Sequence, residues 1–339
     1  MKILITGGLG YIGGRLAQHL GEVYGNENIT LFARSNKHIP PWAQNNEITV
    51  GDVLDTRSLK EACHNINAVV HLAALNEIDS AKDPLAAIRV NGEGTLNLIN
   101  AATSKGVEQI IYFSTFHVYG LNASGTINEQ TLPLPVHPYA ITHHVSEDLV
   151  RMANNKNDIN GTIVRLSNGF GCPTHPQVNR WTLVVNDLCL QAVLKNKMVL
   201  KTSGKQQRDF ITLTDTSRGV EHLLSIDERD YNDNNGSHHN IDKDMKDDPR
   251  TYNLGGDRSM SILNMAKLIQ SRCEKTMGHY PEIVVEEDTP GNGKEIPLKY
   301  DISKIKKTGF KLTSNINEEI DRTIAFCEQH KDLLKWNLK

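Results

Sequence analysis

The chain lacks most of what marks a secreted, membrane-bound or nucleic-acid-binding protein. Its five cysteines (63, 172, 189, 273 and 327) are odd in number, scattered and free of any CxxC spacing. That excludes a disulfide framework or a cysteine zinc site and suits packing thiols in a reducing compartment. No apolar run approaches the length of about 20 residues that crosses a bilayer. The few apolar residues after Met1-Lys2 do not make a signal-peptide core. Charge is nearly balanced, 37 basic against 40 acidic residues for a net −3, so no basic surface advertises nucleic acid or an anionic membrane. No internal repeat is evident. Residues 227–250 are rich in Asp, Asn, Lys and His with almost no apolar content, the composition of a mobile surface loop. His238-His239 with Asp242 could bind metal there, but a solvated loop accounts for the same residues. The expectation is a cytoplasmic protein whose 339 residues suffice for one large or two unequal domains.

What is present is concentrated at the start. Lys2-Ile3-Leu4-Ile5-Thr6 reads as a short buried strand running into Gly7-Gly8-Leu9-Gly10-Tyr11-Ile12-Gly13, and an amphipathic segment follows from Arg15. Glycines 7, 10 and 13 form a side-chain-free turn that lets a pyrophosphate meet backbone amides at a helix N-terminus. No Lys-Ser/Thr follows, which disfavours a P-loop. Dinucleotide binding is the expectation.

Strand and helix patterns then alternate. Ile29–Ala33, Glu47–Val50, Ala68–Ala74, Gln109–Ser114 and Gly161–Leu166 are short apolar runs, and residues from about Pro84 to Ser104 carry helix-compatible spacing. Such alternation predicts an α/β, Rossmann-like doubly wound parallel sheet. Beyond Asn168 the texture changes. Trp181–Asn196, Ser261–Lys275 and Ile316–Gln329 read as helices and Arg208–Ile211 as extended. The expected organisation is a dinucleotide-binding domain of 1–168, with interleaved segments near 205–225 and 250–260, and a smaller substrate lobe mainly in 169–339.

Tyr139 and position 143 lie one turn apart on a predicted helix. Ser114-Thr115-Phe116-His117-Val118-Tyr119-Gly120 sits at a strand's C-terminal end, where open α/β sheets bind ligands. A hydroxyl at the strand end and a phenol on the next helix could hold one oxygen and pass a proton to it or from it. A phenol titrates near 10 in water, so it needs a cation or a strong hydrogen bond to serve at neutral pH. The second strand ends in Phe32-Ala33-Arg34-Ser35, without the acid that accepts from an NAD ribose. Arg34 and Ser35, with Lys37, could instead take the 2′-phosphate of NADP. NADP is favoured over NAD on that reading.

Thr6 to Gly13, Asp52, His71-Leu72-Ala73-Ala74, Asn91 with Gly94-Thr95, Ser114 to Gly120, Tyr139, Arg165 with Asn168, and Arg208-Asp209-Phe210 occur in a characteristic order. In that order and spacing the chain resembles the extended short-chain dehydrogenase/reductases, more narrowly their sugar-nucleotide epimerase/dehydratase/reductase group. The resemblance implies that Thr115 binds the substrate oxygen, Tyr139 is the acid–base and Asn91 supports the active-site helix. It implies that the glycine turn with Tyr11 and Ile12, Asp52 with Val53 beside the adenine, and Leu72, Ala73 and Ala74 hold the cofactor. Asn168 and Arg208 would meet the diphosphate of a nucleotide-sugar. Trp181 could stack on its base, although core packing suits that residue equally. His117 is a further candidate near the substrate. A homodimer through helices near 84–104 and 138–155 is also implied.

Three departures bear on the chemistry. The family's Tyr-x-x-x-Lys would put lysine at 143, where this chain has His143. In the family that lysine holds the nicotinamide ribose and lowers the tyrosine pKa. Histidine could bond the ribose and, if protonated, stabilise a phenolate; otherwise a cofactor-binding protein of weak chemistry remains, as sensor or scaffold. Phe116-His117 replaces the Asp-Glu pair of the dehydratases, which argues against carboxylate-assisted dehydration. Reduction of a keto-sugar nucleotide or epimerisation remains. Thr289 stands where relatives place a second diphosphate arginine, and Lys294 is the candidate to substitute for it.

Overall fold

The computed structural model describes residues 1–37, 39–120, 123–226, 250–286 and 297–337. The polar stretch 227–249 with His238, His239 and Asp242, and the segment holding Thr289 and Lys294, lie outside these described residues.

The strands in chain order are β1 (Ile3–Thr6), β2 (Ile29–Ala33), β3 (Glu47–Val50), β4 (Ala68–His71), β5 (Gln109–Thr115), β6 (Gly125–Ile127), β7 (Asn160–Leu166), β8 (Asn168–Phe170), β9 (Lys197–Leu200), β10 (Gln207–Thr212), β11 (Thr251–Leu254), β12 (Ser259–Ser261), β13 (Glu282–Val285) and β14 (Leu298–Tyr300). Seven form one parallel sheet in the order β11-β7-β5-β4-β1-β2-β3. The strand order reverses beside β1, between β1 and β4, and the register there sets Thr6 against His71. A crevice opens at the carboxyl ends at such a switch point. The Rossmann-like expectation is met.

Alternate residues feed two cores, one on each face of the sheet. Ile3, Ile5, Ile111, Val164 and Leu254 pack on one side with Leu16 and Leu20 of helix α1 (Tyr11–Tyr24). Leu4, Val69, Ile110 and Ile163 pack on the other with Leu59 of α2 (Thr56–Ala62). A third core gathers Phe170, Leu188, Met265, Ile269, Ile320 and Ile324 among the helices Val184–Lys195, Ile262–Met277 and Ile316–Gln329. Residues 205–225 run back to the first unit, where His19 of α1 meets Glu221 of the helix Leu213–Ser225 at 2.6 Å. β11 completes the edge of the large sheet.

Three local departures have physical causes. The run expected through Ala74 stops pairing at His71, because the N–H groups of Leu72 and Ala73 both donate to Thr6 Oγ1 at 3.1 Å. The helix expected from Trp181 starts at Val184, and Trp181 is buried in the preceding turn. The helical stretch 84–104 is divided into α4 (Pro84–Ala87) and α5 (Gly94–Ser104) by a π-turn over Ile88–Glu93. Among the described residues no helix is long and apolar enough to cross a membrane.

Candidate active site

The glycine turn forms as its composition demands. Gly7 adopts φ +69°, a left-handed conformation. A Cβ on Gly13 would sit 2.2 Å from the Gly7 carbonyl oxygen. The N-terminus of α1 has no side-chain cap and no acidic residue in its first turn. By contrast α2 is capped by Asp55, α3 (Glu77–Lys82) by Asn76 and α6 (Pro138–Asn155) by His137. Bare amides and a dipole's positive end, on a turn packed more tightly against the helix than any side chain at 13 would allow, together fit a dinucleotide pyrophosphate.

The next layer fixes the strand ends. Thr6 Oγ1 lies 2.7 Å from His71 Nδ1, and His71 Nε2 lies 3.0 Å from Thr95 Oγ1. Burial pushes His71 down to about 3, so it stays neutral. Asn91 sits in the π-turn, a distortion often found at functional positions. Its Oδ1 accepts from Leu75 N (2.7 Å), its Nδ2 donates to Thr142 Oγ1 (2.9 Å), and its carbonyl accepts from Ser146 Oγ (2.7 Å). Asn91 therefore clamps α6 to the loop after β4. Asp52 turns its carboxylate to Leu54 N, and Val53 is buried against Gly94.

Thr115 ends β5, its Oγ1 accepting from His117 N at 3.2 Å, and Tyr139 is the second residue of α6. Burial pushes the Tyr139 phenol up to about 12, with Glu77 adding to the rise; Arg180 and the Thr115 hydroxyl pull it down. Three imidazoles surround this ring: His143 at 4.3 Å edge-on, His137 stacked at 6.0 Å and His117 at 6.3 Å between centroids. His143 Nδ1 lies 2.6 Å from the Tyr112 hydroxyl, while its Nε2 is buried without a partner. Burial holds His143 at about 4 despite the opposing charge of Glu147. A protonated His143 beside the phenolate, one sequence expectation, is thus disfavoured. The free Nε2 suits a hydrogen bond to a ribose hydroxyl instead, which is what a bound dinucleotide would bring.

Beneath Tyr139 lies a polar network that sequence reading missed. Glu147, one helical repeat further along the inner face of α6, accepts from Ser114 Oγ (2.6 Å) and from Arg165 Nε (2.9 Å) and Nη2 (2.6 Å). Arg165 Nη1 donates to Tyr119, whose hydroxyl donates to Asn253 Oδ1 at 2.7 Å. The i, i+4, i+8 spacing of Tyr139, His143 and Glu147 was the available signal.

On the lobe side Arg208 Nη1 donates to Asn168 Oδ1 at 3.2 Å, so these two candidates are brought together. Arg34, Ser35 and Lys37 lie exposed after β2. Trp181 is corrected: it is buried and stacks on Phe326 at 6.1 Å, which makes it core and not a platform for a base. Its neighbour Arg180 is bound to Glu77 Oε2 at 3.2 Å.

The family model described as "NAD dependent epimerase/dehydratase family" matches residues 3–241. UDP-glucose 4-epimerase of Rhizobium leguminosarum bv. trifolii is 28% identical over 241 residues, covering 66% of this chain and 73% of that protein. dTDP-D-glucose 4,6-dehydratase of Mus musculus is 28% identical over 97% of this chain and 89% of its own length. The fold matches UDP-glucose 4-epimerase of Thermotoga maritima, solved with UDP-glucose, at a TM-score of 0.78 and 20% identity, covering 98% and 100% of the two chains. It matches UDP-glucuronic acid 4-epimerase of Bacillus cereus, solved with UDP-glucuronic acid and NAD, at 0.74 and 23%, covering 97% and 99%.

Proposed function

The chain belongs to the NAD dependent epimerase/dehydratase family, within the extended short-chain dehydrogenase/reductases, and from that premise we propose an NAD(P)-dependent oxidoreduction on a nucleotide-sugar. The reaction is keto-sugar reduction or C4-type epimerisation. One observation carries the reading: the Thr115 hydroxyl and the Tyr139 phenol converge at the carboxyl end of β5, where His117, whose N–H donates to Thr115 Oγ1 at 3.2 Å, sets its ring 6.3 Å from that of Tyr139, at the crevice that the glycine turn opens. Bound there, a nicotinamide dinucleotide supplies the centre that takes up or releases hydride. Tyr139 exchanges the proton with the sugar hydroxyl and Thr115 orients that oxygen. His143 offers Nε2 to the ribose, and Asn91 keeps α6 in place. Asn168 and Arg208 take the diphosphate, for which a forked guanidinium is suited.

Arg34, Ser35 and Lys37, with no acid beside them, support a preference for NADP, and a consumed cofactor of that kind tilts the reaction towards reduction. Phe116-His117 does not support carboxylate-assisted dehydration. The division of labour follows the sequence reading, with residues 1–168 and the returning segments near 205–225 and 250–260 binding dinucleotide and most of 169–339 binding substrate. The exposed apolar side chains of Leu85, Ile88, Ile141, Val145 and Met152 support a homodimer through the helices near 84–104 and 138–155. Five free thiols accord with a cytoplasmic setting.

The test begins with mass spectrometry of cofactor released from denatured protein. Retained NAD(P) favours epimerisation, and an empty protein that binds added NADPH favours reduction. UDP- and dTDP-hexoses and their 4-keto forms are then followed at the nicotinamide absorbance band. Turnover that disappears in Tyr139→Phe supports the reading. Dinucleotide binding with no turnover on any of them would leave a sensor or scaffold in its place, and NAD bound several-fold more tightly than NADP would remove the cofactor preference.

A further inference from the structure

Histidine differs from lysine at position 143 in a way that burial makes decisive. An ammonium only donates hydrogen bonds, whereas a neutral imidazole donates from one nitrogen and accepts at the other. Burial lowers His143 to about 4, so its ring is neutral at pH 7. What Nε2 can offer a ligand then depends on which nitrogen carries the hydrogen, and that is set by what Nδ1 meets.

Nδ1 meets the hydroxyl of Tyr112 at 2.6 Å. Tyr112 is a buried residue of β5, in register with His71 of β4. Its ring lies between two imidazoles, with centroids 5.7 Å from His71 and 5.8 Å from His143. Thr6 and Thr95 engage both nitrogens of His71, so His143 is the imidazole that the phenol serves. Burial lifts the Tyr112 phenol well above its ordinary range, and the hydroxyl keeps its hydrogen. Ser146 is the other acceptor facing the phenol, and its Oγ already lies 2.7 and 2.9 Å from the carbonyl oxygens of Asn91 and Thr142. An imidazole nitrogen, which titrates at about 6.5 in water, is a far better base than a serine hydroxyl. The phenol therefore donates to Nδ1, and the ring hydrogen stays on Nε2. That Nε2 has no hydrogen-bond partner among the described residues, and its ring stands edge-on, 4.3 Å from that of Tyr139. A buried N–H left unbonded is costly, and a ligand that brings an acceptor removes the cost.

We propose that Tyr112 fixes His143 as the Nε2–H tautomer and so makes position 143 a hydrogen-bond donor to the nicotinamide ribose. Tyr112 is then a positioning residue that acts through His143. A lysine donates whatever surrounds it; His143 donates because Tyr112 occupies its other nitrogen. The proposal rests on the ribose role given to His143 in the reading above.

The first measurement needs neither cofactor nor substrate. The full chain is labelled with ¹⁵N-histidine, the His143 resonances are assigned with His143→Ala, and ¹H–¹⁵N correlations of the ring report the tautomer. A hydrogen on Nε2 and a bare, hydrogen-bonded Nδ1 are expected, and a hydrogen on Nδ1 overturns the proposal. In Tyr112→Phe the Nδ1 resonance moves as its donor is lost. Calorimetry then shows NADPH and NAD bound about three- to tenfold more weakly. His143→Ala also weakens binding, and Tyr112→Phe/His143→Ala binds no worse than His143→Ala, because Tyr112 acts only through the imidazole. Losses that add in the double variant would reveal a packing role and overturn the proposal, as would an affinity unmoved by Tyr112→Phe. Should Tyr112→Phe fail to fold by circular dichroism, the tautomer of the unsubstituted protein decides: Nε2–H supports the proposal and Nδ1–H sinks it. If tautomer and affinities come out as stated while Tyr139→Phe keeps full turnover, the proposal stands and the proton-transfer reading falls.

Discussion

Glu147 is a fully buried carboxylate whose partners come from β5, β7 and its own helix: Ser114, Arg165 and Arg151. Arg165, itself buried, and the bonds from Ser114 hold its carboxyl below the usual range against the penalty of burial. Removing one partner of such a pair leaves a charge with no solvent, a loss of about 3–5 kcal/mol. Arg165→Met should lower the urea midpoint accordingly without changing the slope of the transition. The double variant Arg165→Met/Glu147→Leu should recover part of the loss, and a double variant no better than the single would show that packing dominates. At the glycine turn, Gly13→Ala puts a methyl into the Gly7 carbonyl. Dinucleotide binding, measured by calorimetry, should weaken by an order of magnitude or more (about 1.4 kcal/mol per tenfold). Thr115, Tyr139, Asn91 and Arg208 were legible because short motifs around them repeat a known order. Glu77 with Arg180 was not, since 103 residues separate the two and no local spacing encodes a contact made by tertiary folding.

Helix α6 shows how one element serves two purposes. Its inner face carries Tyr139, His143 and Glu147, and its outer face leaves Ile141, Val145 and Met152 exposed. Both stripes were readable from helical periodicity, and so were most strands of the large sheet, because continuous apolar runs mark strands buried on both faces. The π-turn at Ile88–Glu93 was not readable. One extra residue in a turn leaves the apolar pattern of 84–104 almost unchanged, yet it turns Asn91 toward Thr142 and Leu75. Nor was the true start of the helix at Val184, since Trp181 is apolar enough to extend the pattern while packing outside it. The outer stripe of α6 carries a prediction about assembly. Val145→Glu introduces a charge into an apolar face that an isologous contact would bury twice. Light scattering should report a dimer for the unsubstituted chain and a monomer for the variant, with far-UV circular dichroism unchanged. A monomer in both would remove the proposed interface.

For the whole molecule, the buried imidazoles make acid stability the most direct measure of how the site is built. An unfolded chain releases its histidine protons near 6.5, whereas burial lowers His71 to about 3 and His143 and His117 each to about 4. Between those values the unfolded state binds protons that the native state refuses, so stability rises with pH. The contribution of each histidine is fully present above about 6.5 and is lost as pH falls towards its folded value. The slope is about 1.4 kcal/mol per pH unit for each. Asp209 works in the opposite direction. Burial raises its carboxyl to about 6 although Gly256 N and Arg258 N donate to it. Its native state therefore takes up a proton earlier than the unfolded chain, which offsets about one histidine between 6 and 4. For these four groups the balance is that of two histidines, a loss of about 3 kcal/mol per pH unit on acidification, large against a typical total stability of about 5–15 kcal/mol. Urea midpoints measured from pH 7 to 4.5 should fall steeply below 6.5. His71→Asn, which keeps a polar side chain between Thr6 and Thr95 and cannot titrate, should flatten the slope by about one histidine's share. A slope equal to that of the unsubstituted protein would mean that His71 is protonated in the folded state, and the neutral, sheet-embedded imidazole described for it would be wrong.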